Sequence, residues 1–266
     1  MVRALVIVVL LTAPAWADGP ELASSHAVVI DAASGAELFA KGADELHPIA
    51  SMTKLFVALL VRQRHLDLDA WTTITDDDAR AADGGAGTRL LRGEAFRNLD
   101  LLHAMLLVSD NRVPTALARS VGLAPEELVA GLGELADRMG LAHTAFADAT
   151  GIRDNQSTAR EMALALRAAL RDPVLARILR TRYARVVSRS EAVTIDYTST
   201  VRPLWNRRFT ILGGKTGHTD KAGYCLLIAA RIGERSVVMA LLGAPTYNAR
   251  FDDFERLADW LAERTE

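Results

Sequence analysis

The 266-residue chain has a single cysteine, Cys225, so no disulfide can form within it. Lysine is nearly absent too. Of 31 Lys and Arg residues, only Lys41, Lys54, Lys215 and Lys221 are lysines. Arg holds its charge in a protein, whereas a desolvated Lys can lose its proton. The few lysines are therefore the places to look for amine chemistry. The six histidines are scattered with no His-x-x-x-His spacing, so neither a metal nor a cofactor is expected. There is no basic excess: the net charge is −2, which gives no footprint for nucleic acid. The acidic run Asp76–Asp78 lacks the alternating Asp/Asn spacing and closing Glu of a calcium loop, and reads as a solvated loop or a helix start. No apolar run approaches the ~20 residues that span a bilayer.

What is present is a chain half apolar, long enough for one large domain or two small ones. Its start has the layout of a cleavable export signal over residues 1–17. Arg3 supplies the positive charge, Ala4 to Leu11 the apolar stretch, and Ala15-Trp16-Ala17 the small-x-small cleavage site. A buried N-terminal helix or an uncleaved anchor is the other reading of that stretch. Export would place the mature chain, from Asp18, in the periplasm or outside the cell. Cys225, inside an apolar run, reads as a small core residue.

Two short strands, Ala27–Ile30 and Glu37–Ala40, flank a turn ending at Gly35. Leu99 to Val108 is apolar on nearly every face, the pattern of a buried helix. Further helices are predicted over Thr115–Arg119, over Glu126–Met139 with Gly140 as its stop, and over Met162–Leu170 behind the capping box Thr158-x-x-Glu161. From Val193 the character turns to strands: Val193–Ile195, Phe209–Leu212, then Gly223–Arg231 and Ser236–Leu242 as a hairpin. A last helix, Ala249–Arg264, gathers Phe251, Phe254, Leu257, Ala258 and Leu261 on one face. Asp252, Asp253, Glu255, Asp259 and Glu263 make its remaining surface acidic, which favours packing on a sheet over membrane attachment. The order predicts an α/β (α+β) fold. One antiparallel sheet is shared by the N- and C-terminal strands, with a helical lobe between, and residues 18–266 form one domain.

Three polar motifs stand on this frame. Ser51-Met52-Thr53-Lys54 opens an apolar helix, so the hydroxyl and the amine fall one turn apart on one face, near the unpaired N–H groups of a helix start. Alone, that short pattern is more often a helix cap followed by a solvated lysine. Ser109-Asp110-Asn111 lies at the joint of two buried helices, where polar groups need partners or a cleft. Lys215-Thr216-Gly217, with His218 next, lies in a glycine-rich strand along which a ligand could run.

Ser-x-x-Lys, Ser-Asp-Asn and Lys-Thr-Gly in this order are shared by class A β-lactamases and penicillin-binding proteins. The chain resembles a low-molecular-weight penicillin-binding protein, a serine D-Ala-D-Ala carboxypeptidase or endopeptidase with a DD-peptidase/β-lactamase-like fold. The stretch Lys215 to Tyr224 is close to the carboxypeptidases. The region around Ser109-Asp110-Asn111-Arg112 is closer to shorter endopeptidases. The resemblance implies that Ser51 is the nucleophile and Lys54 its base, made neutral by desolvation and by the charge of Lys215. It implies that Ser109 relays a proton to the leaving amine and that Asn111 holds Lys54 and the substrate amide. The N–H groups of Ser51 and His218 would bind the oxyanion, and Thr216 and Arg250 the terminal carboxylate. Arg250 is equally read as a decoration at the start of the last helix, and the His218 side chain as a lining of the cleft. Peptidoglycan stem peptides are the implied substrates and β-lactams the implied covalent inhibitors. No separate C-terminal domain and no stable membrane anchor are expected. A class A β-lactamase would need a Glu-x-x-Leu-Asn loop, which is missing. A sensor acylated without turnover is the remaining alternative.

Overall fold

The computed structural model describes residues 19–264; the expected export signal lies outside the described residues. Strands β1 (His26–Asp31) and β2 (Glu37–Lys41) form the predicted hairpin. The short β3 (His47–Pro48) leads through a tight 3-10 turn, Ala50–Met52, into α1 (Thr53–Gln63). The polar stretch that follows holds more order than its composition suggests: β4 (Trp71–Thr73), α2 (Asp76–Ala81) and β5 (Ala95–Arg97). Thr75 and Asp78 cap α2 reciprocally, so the acidic triplet is the first turn of a helix, where negative charge suits the N–H groups. Asp78 is fully buried and takes Arg119 and Thr115 as partners, which sets it apart from its two exposed neighbours.

The helical lobe continues with α3 (Asn98–Val108), α4 (Val113–Ser120) and α5 (Pro125–Arg138), followed by β6 (Gln156–Ser157), α6 (Ala159–Ala169) and α7 (Pro173–Leu179). Gly140 ends α5 with φ +72°, as its position predicts. The capping box at α6 is half formed. Thr158 accepts from the Glu161 N–H, but the Glu161 carboxylate reaches His143 and Thr144 instead of the cap. The pattern fits either arrangement; tertiary partners decided it.

Strands β7 (Tyr183–Val187) and β8 (Thr194–Thr198) pair as a separate hairpin, of which the sequence revealed only the second arm. The long strands β9 (Thr210–Thr219), β10 (Gly223–Ile232) and β11 (Arg235–Ala244) complete the main sheet, in the order β2-β1-β11-β10-β9, all antiparallel. This is the predicted mixed fold, with N- and C-terminal strands in one sheet.

Both faces of that sheet are covered, which is why β10 and β11 read as continuous apolar runs. Val28, Ile30, Leu227 and Ala240 face the helical lobe. Val29, Ile228, Met239 and Leu241 face the last helix, α8 (Ala249–Ala262). Each large apolar side chain so buried is worth about 1.5–3 kcal/mol. Asp253 does not join the acidic outer surface of α8. It is buried and accepts from the Ala23 N–H and from both the N–H and hydroxyl of Ser24, tying the first described residues to the helix. No helix among the described residues is long and apolar enough to cross a membrane.

Candidate active site

The edge strand β9 runs beside the 3-10 turn that carries Ser51, and the line between them is the site. Gly217 permits that approach: a Cβ there would lie 3.1 Å from the Ile49 carbonyl oxygen and 3.3 Å from Ala50 Cβ. Ala50 itself has φ +47°, and Ser109, the residue that ends α3, has φ +63°. Left-handed backbone at two non-glycine residues is strain that the surrounding packing must hold in place.

Lys54, on the first turn of α1, is fully buried. Its Nζ donates to Ser51 Oγ at 3.0 Å and to the Thr150 carbonyl at 2.5 Å. Burial pushes the amine down from the ordinary 10.5 to about 7, against the opposing pull of Asp148 and Asp110. Lys215, on β9, is also fully buried; its Nζ donates to Ser109 Oγ and, at 2.7 Å, to the Thr216 carbonyl. Burial again pushes its titration well down, and the charges of Lys54 and Arg250 add to the effect. The expectation that Lys215 charge helps to neutralise Lys54 is thus revised. Loss of water around Lys54 does most of the work, and Lys215 is depressed in the same way.

Asn111 sits at the same cleft, but Lys54 is not its partner. The Asn111 Oδ1 is buried and makes no hydrogen bond among the described residues. The Thr150 carbonyl occupies the place beside Lys54 that was expected of Asn111. Between Ser109 and Asn111, Asp110 turns away, accepting from Thr88 Oγ1 and from the Arg112 N–H at 3.0 Å. Its burial pushes the carboxyl up, and those bonds oppose the shift.

The Thr216 hydroxyl shares a 2.6 Å hydrogen bond with Thr200 Oγ1, which itself donates to the Leu107 carbonyl. The Thr216 proton therefore points at Thr200. The His218 side chain is exposed, stacks on Tyr224 at 4.1 Å between ring centres, and lines the cleft. Arg250 is no surface decoration. It is buried beneath Tyr247 and Phe251, and its Nη1 donates to the carbonyls of Gly217 and Cys225, both at 3.1 Å. It fastens α8 to the strand that carries Lys215, while its Nε has no partner among the described residues. Ser51, Asn111, His218, Gly85 and Gly151 line one cleft of about 410 Å³.

Sequence reasoning saw residues 147–156 as a loop and missed its part in the site. The Asp148 carboxylate accepts from Thr150 Oγ1, from the Gly151 N–H at 2.9 Å and from the Ile152 N–H at 3.3 Å, folding a turn that aims the Thr150 carbonyl at Lys54. Asn155 donates to Thr53 Oγ1 at 2.8 Å, and the Ile49 N–H donates to the Asn155 carbonyl at 3.0 Å, so the loop is bolted to the turn that carries Ser51. Gly151 has φ +82°, and a Cβ there would lie 1.9 Å from the Ala50 carbonyl oxygen. The available signal was the run of Asp, Thr, Gly and Asn, residues that fold turns through their own side chains.

Comparison with known proteins agrees with this geometry. Residues 13–246 match the family described as D-alanyl-D-alanine carboxypeptidase. A D-alanyl-D-alanine endopeptidase of Pseudomonas aeruginosa is 31% identical over 242 residues, covering 91% of this chain and 78% of that protein. The Escherichia coli D-alanyl-D-alanine carboxypeptidase DacC is 29% identical, covering 91% of this chain and 62% of that one. Among solved structures, a variant of a Streptomyces DD-transpeptidase superposes with a TM-score of 0.84 at 25% identity, covering 91% of this chain and 98% of that one. On both the motifs and these likenesses, the chain belongs to the D-alanyl-D-alanine carboxypeptidase family of serine peptidases, the low-molecular-weight penicillin-binding proteins.

Proposed function

We propose that the chain is a serine DD-peptidase that cleaves the D-Ala-D-Ala end of peptidoglycan stem peptides through an acyl-enzyme on Ser51, and that β-lactams acylate the same serine. The observation that carries this reading is a fully buried amine, Lys54 Nζ, 3.0 Å from Ser51 Oγ and poised to titrate at about 7. Neutral Lys54 takes the proton of Ser51 as the oxygen attacks the carbonyl between the two D-alanines. The N–H groups of Ser51 and His218 receive the developing oxyanion, each donor worth about 3–4 kcal/mol. As the carbon–nitrogen bond breaks, Ser109 passes a proton to the departing amine and is reprotonated from the Lys54 and Lys215 amines. The proton taken from Ser51 thereby ends on the leaving group. Water then repeats the sequence on the acyl-serine and releases the acid.

The terminal carboxylate of the substrate binds at Lys215 and Thr216, with Arg250 adding positive charge behind them. Thr216 turns its hydroxyl from Thr200 to meet it, and the carboxylate draws Lys215 back to its charged form. The unpaired Asn111 Oδ1 accepts from a substrate amide. The export signal read over residues 1–17 fits an enzyme working on the cell wall, outside the cytoplasm.

Hydrolysis of peptide acyl-enzymes is favoured over β-lactamase turnover because Asp220 is the one acid among the residues lining the Ser51 cleft, and no Glu is there to activate a deacylating water. The test measures D-alanine released from a D-Ala-D-Ala peptide beside nitrocefin turnover. Release of D-alanine with a single, lasting acylation by penicillin is expected; rapid repeated turnover of nitrocefin refutes the peptidase choice. Digestion of intact peptidoglycan, with the products weighed by mass spectrometry, separates terminal trimming from cleavage of cross-links, the two activities named among the relatives.

A further inference from the structure

Arg250 reaches the main sheet from the side of α8, and the place it touches bears on the oxyanion. Its Nη1 donates to two carbonyls at once, Gly217 on β9 and Cys225 on β10, each at 3.1 Å. These two residues stand opposite each other in the antiparallel ladder. Opposed carbonyls in such a pair either converge between the strands or both point away. One nitrogen reaches both only if they converge, so the Gly217 carbonyl points inward, toward β10. The peptide unit is planar and trans, so the His218 N–H, at the other end of the same unit, points the opposite way. β9 is the outermost strand of its sheet, so that way leads to the open edge, where His218 lines the cleft at Ser51.

Arg250 itself presents no open face to the cleft. It is 3% exposed, and its guanidinium carbon lies 4.8 Å from the ring centres of Tyr247 and Phe251 and 5.2 Å from that of Tyr224. Its charge acts on the strand. A cation that donates to an amide carbonyl polarises the whole unit and makes the N–H at the far end a stronger donor.

We propose that Arg250 is a positioning residue for the oxyanion: it fixes and polarises the peptide unit between Gly217 and His218, so that the His218 N–H meets the charge developing on the scissile carbonyl oxygen. This inference rests on acylation of Ser51 under the proposed function. The bonds from Arg250 are in place before the reaction begins and need no rearrangement during it. Removing a whole oxyanion donor slows an enzyme by about 10²–10³, so weakening one should cost about tenfold.

Two acyl-D-alanyl thioesters separate this role from direct contact with a carboxylate. They share the acyl part, and the leaving group carries a free carboxylate in one and its methyl ester in the other. In the full-length enzyme, Arg250→Met should slow acylation at saturating substrate about tenfold with both, with little change in the concentration that gives half the maximal rate. A carboxylate contact would instead show as a loss with the first thioester alone. Infrared difference spectra of the penicillin-acylated enzyme, labelled with carbon-13 at the ester carbonyl, read the oxyanion contact itself. The ester band should move to higher wavenumber in Arg250→Met. In Arg250→Lys, which keeps the charge and can hold one of the two carbonyls, it should lie in between. The Lys variant carries the test if loss of both bonds prevents folding. An ester band that stays in place in these variants, or a rate loss confined to the carboxylate-bearing thioester, overturns the proposal. Absence of any acyl-serine in the unaltered enzyme would refute the peptidase reading and this inference with it, whereas an acyl-serine whose band ignores Arg250 refutes this inference alone.

Discussion

The rate at which Ser51 is acylated should follow the ionisation of Lys54, and the structure fixes the sign and the midpoint. Only the uncharged amine can take the serine proton. An ordinary lysine, titrating at 10.5, is neutral in only about three molecules in ten thousand at pH 7. Burial brings Lys54 to about 7, where about half of the molecules carry the reactive form, a gain of roughly a thousandfold. The second-order rate constant for labelling by a fluorescent penicillin should therefore rise through a single ionisation near pH 7. It should stand at about a tenth of its plateau at pH 6 and about nine-tenths at pH 8. Lys54→Arg should lose the labelling by about a thousandfold or more at every pH, because Arg stays protonated. Asp148→Asn should move the midpoint down, because a negative charge that favours the ammonium has been removed. A rate independent of pH between 6 and 8, a midpoint near 10, or a rising limb unchanged in Lys54→Arg would refute the role of Lys54 as base. In the last case Lys215, buried beside the same cleft, would be the group titrating.

Lys54 should also make the protein less stable. The unfolded chain holds this amine charged between pH 7 and 10.5 where the folded chain does not, so stability rises with pH across that window. Lys54→Met should raise the melting temperature at pH 7 by removing a cost of about 4 kcal/mol, and the gain should shrink to about 2 kcal/mol at pH 9; a gain that grows with pH contradicts this. Gly151→Ala should cost about 3 kcal/mol or more and slow acylation, since its Cβ meets the Ala50 carbonyl, whereas Gly140→Ala, at φ +72° with open space around it, should cost about 1 kcal/mol; equal losses in thermal unfolding would sink the clash argument. Asp78→Ala should destabilise by about 3 kcal/mol, because Arg119, Thr115 and the Thr75 N–H lose a fully buried partner. Burial works against ionisation of Asp78, but those bonds hold its carboxyl below the ordinary 3.8. Its contribution should be present above that pH and fade as acid carries the protein below it, and acid unfolding of Asp78→Asn tests that.

Much of this was legible in the chain, for reasons that differ by region. The hairpin of β10 and β11 and the helix α3 announced themselves because burial on both faces leaves apolar runs in β10, β11 and Leu101–Leu107. The motifs were legible because four lysines among 31 basic residues make the exceptions visible. What stayed hidden is whatever depends on distant partners. Glu161 fits a capping box and serves His143 and Thr144 instead. Asp253 fits an acidic surface and instead holds Ser24 from 229 residues away. Tyr183–Val187 gave no strand signal because it forms one arm of a small hairpin with half its residues facing water.

The loop around Thr150 shows where such reading stops. Asp148, Thr150, Gly151 and Asn155 mark turns, and a turn by itself does not say what it faces. Their target, the turn around Ser51 and Lys54, lies about a hundred residues earlier, and the contacts to the Lys54 amine and the Ile49 N–H are made by the backbone carbonyls of Thr150 and Asn155, which any residue carries. Side-chain identity betrays such a loop only where the backbone tolerates a single choice, as at Gly151 beneath the Ala50 carbonyl. The base proposed at Lys54 needs two things of different legibility: an amine, visible as a letter, and a dry enclosure with one fixed acceptor, supplied by main chain. The strained φ angles of Ala50 and Ser109 belong to the second kind. They persist because β9, α3 and the 148–155 loop converge on them, so the reactive geometry is a property of the packing of these elements and not of the three motifs taken singly.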